Sequence, residues 1–428
     1  MNYMHPADQI VTIMNRIYDY GMTTTSGGNL SILDDDGVMW ISPSGIDKGS
    51  LRREDIMQVF PDGTYKGLHT PSVEYPFHMA IYKARPDLKA ILHAHPPALV
   101  AFSVTRKYPN VLLVPHARLI CGELAYADYA VPGSKKLGEN ISKCFAEGHN
   151  TVLLENHGVV LGSDEDLFKA FMMFETLDFC ARLEINAHTI GQTARPLTEA
   201  ELERFKLKTQ PRMEEFEPHH TSEELAARRD ICTLMKRAYR NQLFTSSQGT
   251  FSTRLSDGRF LITPYDKDRD YLEPADLVLI ENGRREAGKI PSRSVSLHEA
   301  IYRKHPEINS IIVAHPHNIM AFAVTDQVFD ARLIPESYIQ LRNVRKFPFG
   351  ATFLETEELA DQLTPSNPVA IIENDCVITT GNSLINAFDR LEVMEYSAKS
   401  IIMTHHVGPI VPITEEEVDE IETVFKLK

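Results

Sequence analysis

The chain of 428 residues contains a long internal repeat, and this repeat constrains the fold more than any other feature of the sequence. The motif SGGNLS at 26–31 recurs as SQGTFS at 247–252, and SPSG at 42–45 recurs as TPYD at 263–266. Further along, SVEYPFH at 72–78 matches SRSVSLH at 292–298, and VLLENHGVV at 152–160 matches AIIENDCVI at 370–378. The distance along the chain between the two copies of each motif is long and nearly the same for all four motifs. Such a distance predicts two whole domains of one fold rather than a stack of short repeats.

The boundaries of the two domains follow from the repeat and from one polar stretch. We expect a first domain at residues 1–208, a linker at 209–224 and a second domain at 225–428. In each copy, LSILDDDGVMWIS or FSTRLSDGRFLIT predicts a strand, a turn and a second strand. Helical periodicity predicts a long helix at about 164–188. The expected fold class is therefore α/β, with helices packed against one sheet in each domain.

Composition excludes several classes of function. The 44 Lys and Arg residues against 59 Asp and Glu residues give a net charge of −15, which argues against nucleic acid as a partner. No apolar run reaches the roughly 18 residues that a membrane span requires, and the first residues lack the pattern of a signal peptide. We therefore expect a cytoplasmic protein that does not bind membranes. The cysteines never occur in a CxxC spacing, so neither disulfides nor a cysteine metal site is predicted.

Three histidines and one glutamate form a candidate metal site in the first copy. His93 and His95 alternate on an apolar strand, so they share one face and can both reach one ion. His157 follows another apolar strand in a tight Asn-His-Gly turn. Glu74, in the first turn of a helix expected to begin at Ser72, can supply a ligand or transfer a proton. The alternative is that each histidine is an ordinary core or surface residue.

The second copy provides an internal control for this interpretation. Three of the four candidates are replaced together, with Val313 in place of His93, Asp375 in place of His157 and Ser294 in place of Glu74. A joint loss is expected if the residues formed one functional unit without a structural duty. His95 persists as His315, and His78 persists as His298. Because His78 survives in a copy without a complete site, we predict that its role is structural.

A second set of residues could bind an anion. The turn that contains Gly28 and Asn29, together with Ser44, Gly45 and Ser72, offers backbone N–H groups and hydroxyls. Such groups can surround a phosphate. The alternative is that the glycines serve only the geometry of the hairpins.

Taken together, the ordered motifs SGGNLS, SPSG, SVEYPFH, HAHP and ENHG resemble those of the class II aldolase and adducin head family. Within it they are most similar to the L-fuculose-1-phosphate aldolases. The resemblance covers about residues 5–195, and the second copy resembles the same family with a degraded site. It implies three-layer α/β/α domains with mostly antiparallel sheets. It also implies Zn²⁺, or another divalent first-row metal, bound by His93, His95 and His157, with Glu74 as a ligand at rest and as acid/base.

The resemblance further assigns the substrate contacts and the reaction. Phosphate contacts of the family fall on Asn29, Ser44, Gly45 and Ser72. Tyr129 aligns with a tyrosine that donates a proton to the aldehyde oxygen, whereas Val73 departs from the family, whose aldolases have a second serine there. The implied reaction is retro-aldol cleavage of a ketose phosphate or related sugar derivative through a zinc-stabilised enediolate. A decarboxylase, dehydratase or 4-epimerase remains an alternative, as does a non-enzymatic binding role for the second domain.

The resemblance also bears on assembly, because members of the family form rings of four with each metal site between subunits. Two tandem chains could supply four domains to one pseudo-fourfold ring, so we expect a homo-oligomer, either this dimer or a tetramer. In the dimer, Tyr129 would face a second copy's degraded site, and Phe349 would stand where a tyrosine is needed. The expected partner is a small-molecule sugar or sugar phosphate.

Overall fold

A computed structural model describes residues 4–427 and divides the chain into two compact units. The first unit contains the residues up to Leu112 together with His116–Arg182, and the second contains Leu113–Pro115 together with the residues from Leu183 onward. Each unit has one large sheet with helices packed against it. Within residues 4–427, no helix has the length and apolar character that crossing a membrane requires.

The first series of helices and strands ends at Thr189. The helices are α1 (Pro6–Asp19), α2 (Tyr75–Ala84), α3 (Pro97–Thr105), α4 (Pro115–Cys121), α5 (Lys135–Ala146) and α6 (Leu167–Thr189). The strands are β1 (Asn29–Leu33), β2 (Met39–Ile41), β3 (Met57–Val59), β4 (Tyr65–Lys66), β5 (Ala90–Ala94), β6 (Leu124–Ala127), β7 (Thr151–Leu154) and β8 (Gly158–Ser163).

The remaining elements repeat this series with additions. The helices are α7 (Glu199–Phe205), α8 (Ser222–Arg240), α9 (Val295–Lys304), α10 (Ile319–Ala323), α11 (Pro335–Leu341), α12 (Thr356–Gln362), α13 (Leu384–Thr404) and α14 (Glu415–Val424). The strands are β9 (Glu215–Phe216), β10 (Thr250–Arg254), β11 (Phe260–Ile262), β12 (Val278–Glu281), β13 (Arg284–Glu286), β14 (Ser310–Ala314), β15 (Arg345–Phe347), β16 (Val369–Ile372) and β17 (Cys376–Gly381).

Taken from opposite edges, the two sheets have the same strand order, apart from β9, which is added at one edge of the second. The first runs β4-β3-β2-β1-β5-β8-β7-β6, and the second runs β15-β16-β17-β14-β10-β11-β12-β13-β9. Pairs are antiparallel except β6 with β7, β15 with β16, and β13 with β9. The expected α/β class with mostly antiparallel sheets is confirmed. Corresponding strands keep their register, because Asn29 pairs with His93 in the first sheet and Thr250 pairs with Val313 in the second.

The predicted hairpins form for local reasons. Asp34 Oδ1 accepts hydrogen bonds from the N–H groups of Asp36 (3.1 Å) and Val38 (2.8 Å), and Gly37 has a φ of 76°. An aspartate that caps its own turn and a glycine at positive φ are typical of tight connections between strands. The turn therefore returns β2 alongside β1.

Strand β5 lies near the middle of the first sheet, and all five of its residues are buried. On one face it contributes Ile91 to a core that also contains Phe77 and Ile81 of α2 and Val160 of β8. Burying an aliphatic or aromatic side chain of this size contributes about 1.5–3 kcal/mol. A strand this deeply packed holds its side chains rigidly, which matters for the histidines at its end.

Candidate metal centre

His93 is the most deeply placed of the site residues, because it lies on β5 and is fully buried. Its Nδ1–H donates to the carbonyl oxygen of Val159 on β8 at 2.9 Å. A backbone acceptor at Nδ1 fixes the ring and leaves the lone pair on Nε2, the usual arrangement of a metal-binding histidine.

The other two histidines converge on this atom. His95 follows directly after β5, and its Nε2 lies 2.9 Å from Nε2 of His93. His157 lies in the turn between β7 and β8, and the ligand atoms of all three histidines fall within 4.8 Å of one another. Among the residues that the structure describes, this is the one group of three or more such side chains. The structure thus brings together the three histidines that the sequence analysis predicts as metal ligands.

The turn that carries His157 permits a very close approach of two strands. Asn156 adopts a φ of 55°, a left-handed conformation that asparagine tolerates better than most residues. A Cβ atom on Gly158 would lie 2.6 Å from the carbonyl oxygen of Ala94. Glycine is therefore required beside the end of β5, and His157 is brought to His95 as a result.

Burial keeps the three rings neutral. It lowers the pKa of His93 to about 3, with a further contribution from His157, and it lowers the pKa of His95 to about 3, with a further contribution from His93. Burial lowers the pKa of His157 as well. Neutral imidazoles at physiological pH present lone pairs, which is the state that binds a metal ion.

Glu74 faces this trio from α2. Helix α2 begins at Tyr75, so Glu74 is its N-cap residue rather than a residue of the first turn. Its Oε2 lies 3.3 Å from His93 Nε2, and its Oε1 lies 3.7 Å from His157 Nε2. Oε1 is buried and accepts no hydrogen bond from any described residue. A buried carboxylate oxygen without a donor, beside three neutral nitrogen ligands, fits a divalent cation.

A chain of hydrogen bonds holds Glu74 in place. Ser31 Oγ lies 2.7 Å from His78 Nδ1, His78 Nε2 lies 2.5 Å from Asn29 Oδ1, and Asn29 Nδ2 donates to Glu74 Oε2 at 2.7 Å. Burial lowers the pKa of His78, so the ring is neutral and donates its single proton through Nε2. His78, which the sequence comparison predicts to be structural, thus orients Asn29 toward Glu74.

The second unit keeps only part of this chain of hydrogen bonds. His298 keeps the contact to a serine, with Ser252 Oγ 2.7 Å from its Nδ1. Its Nε2 is buried without a hydrogen-bond partner among the described residues, because Thr250 replaces Asn29 and its hydroxyl bonds to Ser292 instead. The serine–histidine pair is therefore common to both units, whereas the link to a carboxylate belongs to the first.

The residues expected to bind an anion come together at one edge of this site. Gly28 has a φ of 71°, and a Cβ atom there would lie 2.8 Å from the carbonyl oxygen of His93. A bridge between Pro43 and Pro71 brings the turn of Ser44 and Gly45 beside Ser72, whose Oγ accepts from the N–H of Glu74 at 3.3 Å.

The sequence analysis did not identify Lys48, which also lies at this edge. Lys48 is almost completely buried, and its Nζ donates to the carbonyl oxygen of Pro43 at 2.5 Å. Burial lowers the pKa of Lys48 to about 8. The repeat contained a signal for it, because Arg269 occupies the corresponding place and donates to the carbonyl oxygens of Gln248 and Gly249. In both units a buried cation holds a turn at this edge.

Tyr129 lies apart from the trio. Its backbone N–H donates to Glu155 Oε2 at 3.1 Å, two residues before His157, and its side chain is 54% exposed. No hydrogen bond or ring contact joins Tyr129 to the three histidines in the part of the chain that the structure describes.

Comparison with known proteins identifies one family and several similar enzymes. The family model described as "Class II Aldolase and Adducin N-terminal domain" matches the chain twice, at residues 8–185 and 229–402. An L-fuculose phosphate aldolase of Methanococcus maripaludis is 34% identical over 177 residues, which cover 41% of this chain and 93% of the relative. A 3-oxo-tetronate 4-phosphate decarboxylase of Haemophilus influenzae is 34% identical over 197 residues, 45% of this chain and 92% of the relative. The solved structure of YgbL from Klebsiella pneumoniae shares 30% identity over 46% of this chain and 96% of its own, with a TM-score of 0.42.

Proposed function

The chain belongs to the class II aldolase and adducin family, and from that premise we propose that it is a metal-dependent lyase that cleaves a ketose phosphate or related sugar derivative by a retro-aldol reaction. The observation that carries the proposal is the buried carboxylate of Glu74, which faces three neutral histidines with one oxygen unpaired. The likeness to an L-fuculose phosphate aldolase supports it.

We assign the metal to His93, His95 and His157, with Glu74 as the fourth ligand at rest. Three neutral nitrogen donors, at the end of β5 and in the turn between β7 and β8, suit Zn²⁺ and other divalent first-row metals. When bound, such an ion supplies a Lewis acid that polarises a carbonyl and stabilises the negative charge left by a breaking carbon–carbon bond.

The protein's own groups must move the protons. In cleavage, the hydroxyl on one carbon loses its proton as that carbon becomes an aldehyde, and the carbon left behind gains a proton. We assign the second transfer to Glu74, because Asn29 orients its Oε2 and leaves Oε1 available. In a tetramer, we assign the first transfer, at the oxygen that becomes the aldehyde oxygen, to Tyr129. In the alternating dimer, which we favour, Tyr129 faces the second unit's degraded site, and the hydroxyl proton would pass to water.

The anionic end of the substrate is assigned to the turns at the edge of the site. These turns contribute Gly28, Asn29, Ser44, Gly45 and Ser72. Backbone N–H groups and hydroxyls can bind a phosphate without a charged side chain. Because Asn29 donates its side-chain N–H to Glu74, its contribution to phosphate binding would come from the backbone.

A decarboxylase is the second candidate. The Haemophilus influenzae decarboxylase is as similar in sequence to this chain as the aldolase is. Loss of carbon dioxide from a 3-oxo acid leaves the same kind of negative charge beside a carbonyl, so the same site could support it. For the second domain, taken as residues 225–428 after a linker at 209–224, we propose a supporting or binding role without catalysis.

The test compares products from purified, metal-replete full-length protein. L-Fuculose 1-phosphate should yield dihydroxyacetone phosphate and an aldehyde if the proposal is right. Carbon dioxide from a 3-oxo-tetronate 4-phosphate, without aldehyde from any ketose phosphate, would favour the second candidate. The His93→Ala variant serves as the control for contaminating enzymes.

A further inference from the structure

Lys48 is a buried cation whose ammonium contacts a carbonyl oxygen rather than a carboxylate. It is 2% exposed, and its Nζ donates to the carbonyl oxygen of Pro43 at 2.5 Å. The preceding residue, Asp47, accepts hydrogen bonds elsewhere, from the N–H of Gly49 at 3.0 Å and from the hydroxyl of Ser50 at 2.9 Å. A buried charge without an opposite charge beside it lowers stability, and a bound anion would offset that cost.

Lys48 also connects the two turns to which we assign the anionic end of the substrate. Its backbone N–H donates to the carbonyl oxygen of Thr25 at 2.9 Å, immediately before the SGGN turn. Its side chain reaches Pro43 in the SPSG turn. Because both contacts come from one residue, the positive charge is held beside the two turns together.

The second unit contains a cation in the same place. Arg269 is 4% exposed and makes the corresponding contacts. Its backbone N–H donates to the carbonyl oxygen of Ser246 at 3.0 Å, and its Nη1 donates to the carbonyl oxygen of Pro264 at 3.3 Å. A buried positive charge at this position is therefore common to both units.

The two units differ in the negative charge that accompanies the cation. Burial lowers the pKa of Arg269 to about 10, and the charges of Asp268 and Asp266 oppose this effect. Asp266 stands at the position of Gly45, so a negative charge at this position is close enough to stabilise the cation. A Cβ atom on Gly45 would have no atom within 4 Å apart from its chain neighbours. The first unit therefore has open space where the second carries a carboxylate.

We propose that Lys48 is a positioning residue whose buried charge makes the first unit select a phosphate dianion at the turns of Gly28 and Gly45. A neutral sugar would leave the ammonium without an opposite charge, whereas a phosphate at these turns supplies the charge that Asp266 supplies in the second unit. The substrate class is then a sugar phosphate rather than a free sugar. The inference deepens the proposed function and rests on its assignment of the anionic end to these turns.

Binding of inorganic phosphate to the full-length, metal-loaded protein tests the inference without any turnover. Titration calorimetry at pH 7 and constant ionic strength compares the native chain with Lys48→Met and Lys48→Arg. Lys48→Met should weaken binding about tenfold, because the charge is lost, and Lys48→Arg should stay within about threefold, because the charge is kept. Arg269→Met, which removes the matching cation of the second unit, is the control and should leave the affinity within about twofold.

The pH profile of phosphate binding separates the charge from a purely structural role. Burial lowers the pKa of Lys48 to about 8, so its ammonium loses its proton as the pH rises from 7 to 10. Phosphate binding by the native chain should weaken over this range, and Lys48→Arg should remove that weakening because a guanidinium stays charged. Asp47 on the same segment and Tyr18 of α1, which packs against Gly49, are titratable groups beside Lys48. Both remain in Lys48→Arg, so the comparison isolates the ammonium.

A second measurement needs no ligand. Gly45→Asp reproduces the charges of the second unit, and Gly45→Asn is the neutral control of the same size. Both residues tolerate a positive φ, which is 69° at Gly45 and 51° at Asp266. Tm should be about 2 °C higher for Gly45→Asp than for Gly45→Asn, and the difference should vanish when Lys48→Met is also present. A difference that persists without Lys48 would show that the two positions are not coupled and would overturn the inference.

The binding outcomes are equally decisive. Equal phosphate affinity of the native chain and Lys48→Met would overturn the inference, as would no phosphate binding by the native chain. An equal loss in Lys48→Met and Lys48→Arg, or the same pH profile in Lys48→Arg as in the native chain, would make the role structural and overturn it as well. Phosphate binding that depends on Lys48, in a protein that cleaves no ketose phosphate, would support the inference and refute the proposed reaction instead.

Discussion

Replacing Glu74 by glutamine separates its role in proton transfer from its role in holding the site together. Glutamine has the same length, so its Oε1 can still accept the hydrogen bond that Asn29 donates at 2.7 Å. The other terminal atom becomes an NH₂ group, which cannot carry the proton. The three histidines remain, so a metal ion should remain largely bound.

The expected loss in kcat is about 100- to 10,000-fold, the range typical of general acid/base groups. Each factor of ten corresponds to about 1.4 kcal/mol, so the barrier should rise by about 3–5 kcal/mol. The assay follows dihydroxyacetone phosphate release at saturating substrate, with metal content measured on the same samples. Glu395→Gln is the control, because it neutralises another buried carboxylate, one that accepts from Asn318 and Ile319 in the second unit. A near-normal kcat for Glu74→Gln would refute the reasoning and assign the proton to another group.

Three further outcomes follow from the structure. His78→Leu should lower kcat about tenfold because Asn29 Oδ1 loses the N–H that His78 donates, whereas His298→Leu should leave kcat within about twofold although both lower Tm. Gly158→Ala should destabilise the fold by about 1–3 kcal/mol in chemical unfolding and weaken metal binding, since its Cβ would lie 2.6 Å from a carbonyl oxygen. Mass measurement in solution should give two chains of 48.4 kDa each. Tyr129→Phe should then be nearly harmless, whereas a tetramer crippled by it would contradict the alternating dimer.

The internal repeat helps to explain why the histidines of the candidate site can be predicted from the sequence. His93 and His157 are candidates because each lies on or directly after an apolar strand, and their joint replacement by Val313 and Asp375 in the second copy supports one functional unit. The structure brings their side chains together. The strand order was not predictable, because sheet neighbours such as β5 and β8 are far apart in the chain.

The role of His78 was missed for a related reason. Its partners Ser31 and Asn29 lie 47 and 49 residues away, and its conservation between the copies reflects only the contact to serine. The polar composition of residues 209–224 predicts a linker. The structure places the two-residue strand β9 in this stretch, where it pairs in parallel with β13.

The most direct test of the account is the number of metal ions per chain and their link to turnover. Elemental analysis of the purified full chain should give about one divalent ion, because within residues 4–427 only the first unit combines three histidines with a facing carboxylate. His315→Ala should leave this number unchanged, and His93→Ala with His157→Ala should abolish both the ion and turnover. Restoring zinc to chelator-treated protein should recover activity in proportion to occupancy. Two tightly bound ions per chain, or full activity without any ion, would contradict the account.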